Sequence, residues 1–330
     1  MAEEMSYSAA IEEAGQVMCR FPLKHVDGVP LMNLIVDRWD EIAAFTPDPS
    51  DMLIATYPKA GTTWTQEIVD LIIHEGDAEA CRRAPTFVRM PFMEIVSPRP
   101  IPSGGIGKEN CRPPLGAWEG LTTYKQGLDL LNTMDPPRVI KTHLPFKLVP
   151  KGFWENKCKV IYVARNAKDN LVSYYHFDRM NKTQPEPGPW EGYIQKFIRG
   201  ELAWGSWYDH VKGFWVERER RNILYLFYED MKENPRREVV RIMEYMGRAL
   251  PDDVIDRIVE LTSFQVMKEN PMTNYTTLPK SVLDQSVSRF MRKGEVGNWA
   301  SHFSPSQSRE FDEDYEHQMG GAGIPFRTQL

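Results

Sequence analysis

The chain has 330 residues, 42% of them hydrophobic and 26% charged, with a formal net charge of −6. That composition supports a sizeable core and excludes a largely disordered chain. The acidic balance argues against general nucleic-acid binding, which needs a basic face, so any anion site must be a local basic cluster.

The chain opens on an acidic, loosely ordered leader, set at 1–24, without the apolar stretch of a signal peptide. No run approaches the length of a membrane span. A helix is expected from Leu31 to Phe45. A strand over 52–57 then leads through Pro58-Lys59-Ala60-Gly61 into a helix over about 62–75, where Trp64, Ile68, Leu71 and Ile72 recur at helical spacing. Strand, tight turn and helix start together form a phosphate cradle. The helix start offers unpaired N–H donors and the positive end of its dipole. Lys59 adds a full charge, and Thr62 and Thr63 add hydroxyls. A Walker A loop needs two glycines and a hydroxyl straight after its lysine. Here only Gly61 is present and the lysine precedes it, so the expectation is an anion held without a metal.

Residues 98–137 are rich in proline and glycine and read as a long loop with one helix over 121–133. Strands follow over 138–142, 159–164 and 223–228, with helices over 167–178, 235–247 and 252–262. Alternating apolar strands and helices indicate an α/β fold, a parallel sheet covered on both faces, here as a single domain over 1–330. Ligands of such sheets sit at the carboxyl ends of the strands. Lys59, Lys141 with His143, Arg165 and Tyr228 each fall at one. His143 stands two residues beyond Lys141, on the same face of an extended segment. The neighbouring cation disfavours imidazolium and suits a neutral base.

Arg165 and Ser173 are placed to reach one phosphate. Arg292, Lys293 and Gly294 form a second basic, glycine-containing wrap. Taken singly, each feature has an ordinary reading: a plain turn, a solvated loop, a structural histidine. Their convergence on one sheet edge does not. The aromatic stretch 174–215 reads mostly as core, with a few rings left for an apolar pocket. Cys19, Cys81, Cys111 and Cys158 form no C-x-x-C pair and are expected to be reduced thiols of a cytosolic protein. The triplets starting at Asn181 and Asn274 are read as chance matches to a glycosylation pattern.

Taken together, YPKAGTTW, KTHLP, VARNAKDNLVSYYHF, LFYEDM and FMRKGEVGNW, in this order, resemble the cytosolic sulfotransferases. The flavour is that of family 1, the phenol or aryl type, nearest its subfamily C. The resemblance covers most of residues 25–330. It implies a P-loop-like turn and the donor 3′-phosphoadenylyl sulfate (PAPS), with PAP as product and no metal. It assigns the 5′-phosphosulfate to Lys59, Ala60, Gly61, Thr62, Thr63 and Trp64, and the 3′-phosphate to Arg165, Ser173, Arg292, Lys293 and Gly294. Tyr228, Thr262, Ser263, Phe264, Met267, Phe290 and Met291 complete the nucleotide site.

His143, Lys59 and Lys141 are implied as catalytic. Lys141, Thr142, His143, Phe92, Ile95, Phe177, Tyr275 and Val282 are implied around a small hydrophobic acceptor such as a phenol, xenobiotic or hormone. The family's dimer motif, K-x-x-x-T-V-x-x-x-E, is replaced by Ala300, Ser304, Pro305 and Arg309 at its key positions, so the usual homodimer is not expected. The stretch 106–134 reads as an insertion near the acceptor pocket. Two other classes compete: a metal-dependent nucleotide kinase, and a nucleotide-binding protein whose insertion has closed the acceptor site.

Overall fold

A computed structural model describes residues 20–95 and 127–330. Cys19, Cys111 and most of the expected 98–137 loop and 106–134 insertion lie outside the described residues. Two antiparallel strands come first, β1 (Leu23–Val26) and β2 (Val29–Met32). Four parallel strands follow: β3 (Met52–Thr56), β4 (Val139–Thr142), β5 (Lys159–Ala164) and β6 (Ile223–Phe227). Their spatial order is β4-β3-β5-β6.

Period-two alternation divides the sheet between two cores. Leu53, Ala55, Val160 and Tyr162 face one, and Met52, Ile54, Ile161 and Val163 the other. The chain leaves β3 for β4 on one side, then crosses to β5 on the other. That reversal opens a crevice at the strand ends, where open α/β sheets bind ligands. Among the described residues, no helix is long and apolar enough to cross a membrane.

Two expectations near the start are corrected. The helix proposed from Leu31 to Phe45 is instead β2 followed by short helices Asn33–Val36 and Trp39–Ala43. The cause is a tight turn at Asp27-Gly28, both with positive φ (47° and 78°), which pairs β1 with β2. The leader set at 1–24 also reaches too far, because Leu23 and Lys24 are already in β1 and Arg20 is hydrogen-bonded to four carbonyls. Of the helix over 121–133, the described part is Gly127–Leu131.

The segment in place of the dimer motif starts a helix of its own. Ser304 caps Pro305–Met319 through a reciprocal capping box with Gln307. Pro305 sits in the first turn, where its missing N–H costs nothing. Lys168 Nζ holds Ser308 Oγ at 2.8 Å and Asp312 Oδ2 at 2.7 Å, so this helix is fastened within the chain. The protein is expected to run as a monomer by light scattering at micromolar concentration. A dimer that dissociates on substitution within 300–309 would contradict this.

Candidate active site

The cradle after β3 is held open by strain and by hydrogen bonds from outside it. Lys59 has φ 69° and Gly61 φ 115°. A side chain on Gly61 would lie 3.1 Å from the Tyr228 ring, so glycine serves both the turn and the close approach. Asn170 Nδ2 donates to the Pro58 carbonyl at 2.9 Å. The helix that follows, Thr62–Ile73, has no acid in its first turn, leaving its positive end to an outside anion.

A cavity of about 280 Å³ lies over this turn. Lys59, Lys141, His143, Arg165, Arg292 and Lys293 all line it, from four chain segments. Lys59 Nζ rests 3.9 Å from the Phe290 ring centre and 4.6 Å from that of Phe177. Burial, then Arg165 and Lys141, push its pKa down to about 7. Lys141 Nζ lies 4.3 Å from the Phe92 ring centre and donates to the Tyr275 hydroxyl at 3.4 Å.

His143 is buried, and its Nδ1 lies 2.8 Å from the Thr56 carbonyl oxygen. A carbonyl can only accept, so the proton sits on Nδ1 and Nε2 keeps its lone pair. Burial and then Lys141 hold the imidazole pKa well below 6.5, so it is neutral near pH 7. Phe92 and Trp204 meet its ring edge-on at 4.7 and 5.4 Å.

The basic end of the cavity is built for an anion. Arg165 donates to the Lys59 and Glu295 carbonyls and stacks 4.3 Å over Tyr228. Arg292 donates to Asn298. Among the described residues, the Nε of each arginine is buried without a partner, and such a donor demands an acceptor. Burial and then Arg165 lower the Arg292 pKa. Gly294 at φ 66° lets this loop close on Phe264, where a Cβ would fall 2.3 Å from the ring. Asp169 fastens the loop by accepting from the Gly297 and Trp299 amides at 2.7 and 2.9 Å. Trp64 and Tyr228 form an edge-on aromatic pair with centroids 5.6 Å apart.

Most residues expected from the sequence line the cavity, including Ser173, Thr262, Met267, Met291, Phe92, Ile95, Phe177, Tyr275 and Val282. Three do not. Ala60 is fully buried, Thr142 turns its hydroxyl to Glu94, and Ser263 stands outside the wall, before helix Phe264–Glu269. Sequence reasoning missed Trp204, which had been left among the core aromatics, and Asn181 and Gln184, which also line the cavity.

It also missed Glu94, which supports the site from behind. This buried carboxyl accepts from the His143 backbone N–H at 2.6 Å, Thr142 Oγ1 at 2.9 Å and Trp204 Nε1 at 3.2 Å. Burial pushes its pKa up to about 7 against those donors. Glu94→Ala would orphan three buried donors at roughly 1–3 kcal/mol each, so a stability loss of about 3 kcal/mol or more is expected in urea unfolding. Glu94→Gln, which keeps the shape and one acceptor oxygen, should lose less.

Away from the cavity, Asp70, His74 and Cys81 are the one grouping with metal-ligand spacing among the described residues. The Asp70 carboxylate is already paired with Arg83 and Arg89. The triplet asparagines Asn181 and Asn274 are both buried, with Oδ1 engaged by the threonine two residues on.

Comparison with known proteins agrees with this geometry. The sulfotransferase domain model matches residues 49–323. Rat sulfotransferase 1C2 is 51% identical over 308 residues, covering 93% of this chain and 96% of the relative. Human sulfotransferase 1C2 is 49% identical over the same shares. Mouse sulfotransferase 1 family member D1 is 46% identical, covering 94% of this chain and 97% of its own. Among solved structures, retinol dehydratase in complex with androsterone and the inactive cofactor PAP superposes with a TM-score of 0.79 at 25% identity, covering 96% of both chains. Mouse sulfotransferase SULT7A1 complexed with PAP gives 0.69 at 26% identity, covering 91% of this chain and 95% of its own. Sharing about half its residues with family 1 relatives along nearly their whole length, this chain belongs to the sulfotransferases.

Proposed function

We propose that the protein transfers a sulfuryl group from PAPS to the hydroxyl or amine of small hydrophobic aromatic acceptors, with His143 as general base. The observation that carries this reading is the neutral, buried His143, which shares one cavity with Lys59, Lys141 and two arginines whose Nε donors are unpartnered. Those arginine donors fit a 3′-phosphate, and the acid-free helix start with Lys59 fits a 5′-phosphosulfate. Trp64, Tyr228 and Phe264 offer flat apolar surfaces to a base. When bound, PAPS supplies an electrophilic sulfuryl group on a phosphate leaving oxygen. His143 Nε2 takes the acceptor proton as the acceptor attacks. Lys59 and Lys141 stabilise charge on the transferring group and the departing oxygen. Phe92, Ile95, Phe177, Tyr275 and Val282 hold the acceptor ring and keep water from the reacting atoms. The cytosol is proposed as the working compartment, because both described cysteines, Cys81 and Cys158, are free thiols.

The test is an assay with PAPS and no added metal across phenols, steroid alcohols and arylamines. Sulfated product is expected. Tight PAP binding with no turnover on any acceptor would favour a nucleotide-binding protein with a closed acceptor site, and magnesium-dependent ATP turnover would point to a kinase.

A further inference from the structure

We infer that the C-terminal segment acts as a strap that sets the width of the nucleotide site, with Arg327 and Thr328 as its positioning residues. The inference rests on the reading of the basic end of the cavity as the site of PAPS and adds what holds that end in register.

Two elements face each other there, and Arg165 lies between them. It stacks 4.3 Å from the Tyr228 ring centre on one side and donates to the Glu295 carbonyl at 3.0 Å on the other. Tyr228 begins helix Tyr228–Glu233, which has six residues and no side-chain cap. Glu295 belongs to the basic wrap around Arg292, where residues 292–297 form neither helix nor strand. Short and irregular elements are the first to open locally, so a fixed spacing between these two needs a tie from outside.

Three consecutive residues supply that tie. The Phe326 ring packs on the core, 5.4 Å from that of Phe227, the last residue of β6, and 4.9 Å from that of Trp207. Arg327 spans Glu233 Oε1 at 2.7 Å and Asp230 Oδ1 at 2.5 Å, both on the short helix. The Thr328 carbonyl accepts from Trp299 Nε1 at 3.0 Å, at the end of the wrap. The strap therefore joins from outside the two elements that Arg165 joins from inside. Phe326, Arg327 and Thr328 themselves stand outside the cavity wall.

These contacts separate positioning from stability. The side chains of Arg327, Asp230 and Glu233 are between 29% and 47% exposed, and exposed ion pairs add little to folding. Arg237 lies 3.9 Å from Asp230 and 3.8 Å from Glu233, so both acids keep a cation when Arg327 is removed. Asp169 still holds the wrap by its Gly297 and Trp299 amides. Loosening the strap therefore leaves the fold standing and widens the range of spacings around Arg165. A ligand that must then draw the two elements together binds less tightly.

The test uses the full chain and measures PAP affinity by calorimetry, thermal unfolding, and amide hydrogen exchange without nucleotide. Arg327→Gln is expected to weaken PAP about three- to tenfold, with the unfolding temperature nearly unchanged and kcat at saturating PAPS preserved. Faster exchange is expected in 228–233 and 292–299 alone. Arg327→Lys keeps the charge without the fork that spans two acids, and its PAP affinity should fall in between. Trp299→Phe keeps a ring over Lys168 and removes the donor to Thr328. After Arg327→Gln it should cost less PAP affinity than it does alone, because both act through one strap. Unchanged PAP affinity in Arg327→Gln, or a loss matched by a general fall in unfolding temperature and exchange protection, would overturn the inference. If the parent protein binds no PAP, the donor reading fails, and exchange still decides this one. Faster exchange confined to the two elements upholds the strap, and unchanged exchange overturns it.

Discussion

His143→Ala is expected to lower kcat by about 10²–10⁴ while PAP binds as before. The separation follows from how the residue is held. Its backbone N–H is fixed by Glu94, a contact the alanine variant keeps. Its ring makes its polar contacts through Nδ1, to the carbonyl and the hydroxyl of Thr56 at the end of β3, and packs against Phe92 and Trp204. Removing the ring therefore takes away the Nε2 base and some apolar packing, but none of the arginine donors at the other end of the cavity. Single-turnover sulfation with isothermal titration of PAP reads both quantities. A matched loss of PAP affinity would mean that the ring supports the nucleotide site instead. Because burial and Lys141 hold the imidazole pKa well below 6.5, the base is neutral near pH 7, and lowering the pH from 7 to 6.5 should not slow the reaction through this residue.

The strand ends were legible because buried parallel strands are nearly continuous apolar runs, and each of the four carried its polar residue just after the run. Lys59, Lys141, His143 and Arg165 could be placed from that pattern alone. The β1–β2 hairpin was missed because its sequence mark is the two-residue turn Asp27-Gly28 between strands of only four residues each. Glu94 carries no mark in the sequence. A single acid in Pro91-Phe92-Met93-Glu94 becomes a support only when tertiary packing brings Thr142, His143 and Trp204 to it. Trp204 was hidden twice, by an aromatic run that is mostly core and by a left-handed backbone, φ 65°, that no sequence rule gives to tryptophan. Asn181 was read only as part of a glycosylation-like triplet.

The second large effect is expected at Lys59, where pH separates charge from shape. Lys59→Met keeps an unbranched apolar stem against Phe177 and Phe290 and removes the ammonium. A loss of about 10²–10³ in kcat is expected, the usual size for one preorganised charge-stabilising donor. In the free protein the Lys59 pKa is depressed to about 7 by burial and by Arg165 and Lys141. Only the ionised form attracts the nucleotide, and bound phosphate raises the pKa again. PAP affinity is therefore complete below pH 7. It weakens as pH rises through 7, by up to about tenfold per pH unit for one linked proton, until the pKa of the bound state is reached. Titrating PAP between pH 6.5 and 9 should show that slope in the parent protein and a flat line above pH 7 in Lys59→Met. A slope that persists in the variant would have to come from another group. It would refute Lys59 as the proton-linked anchor of the cradle.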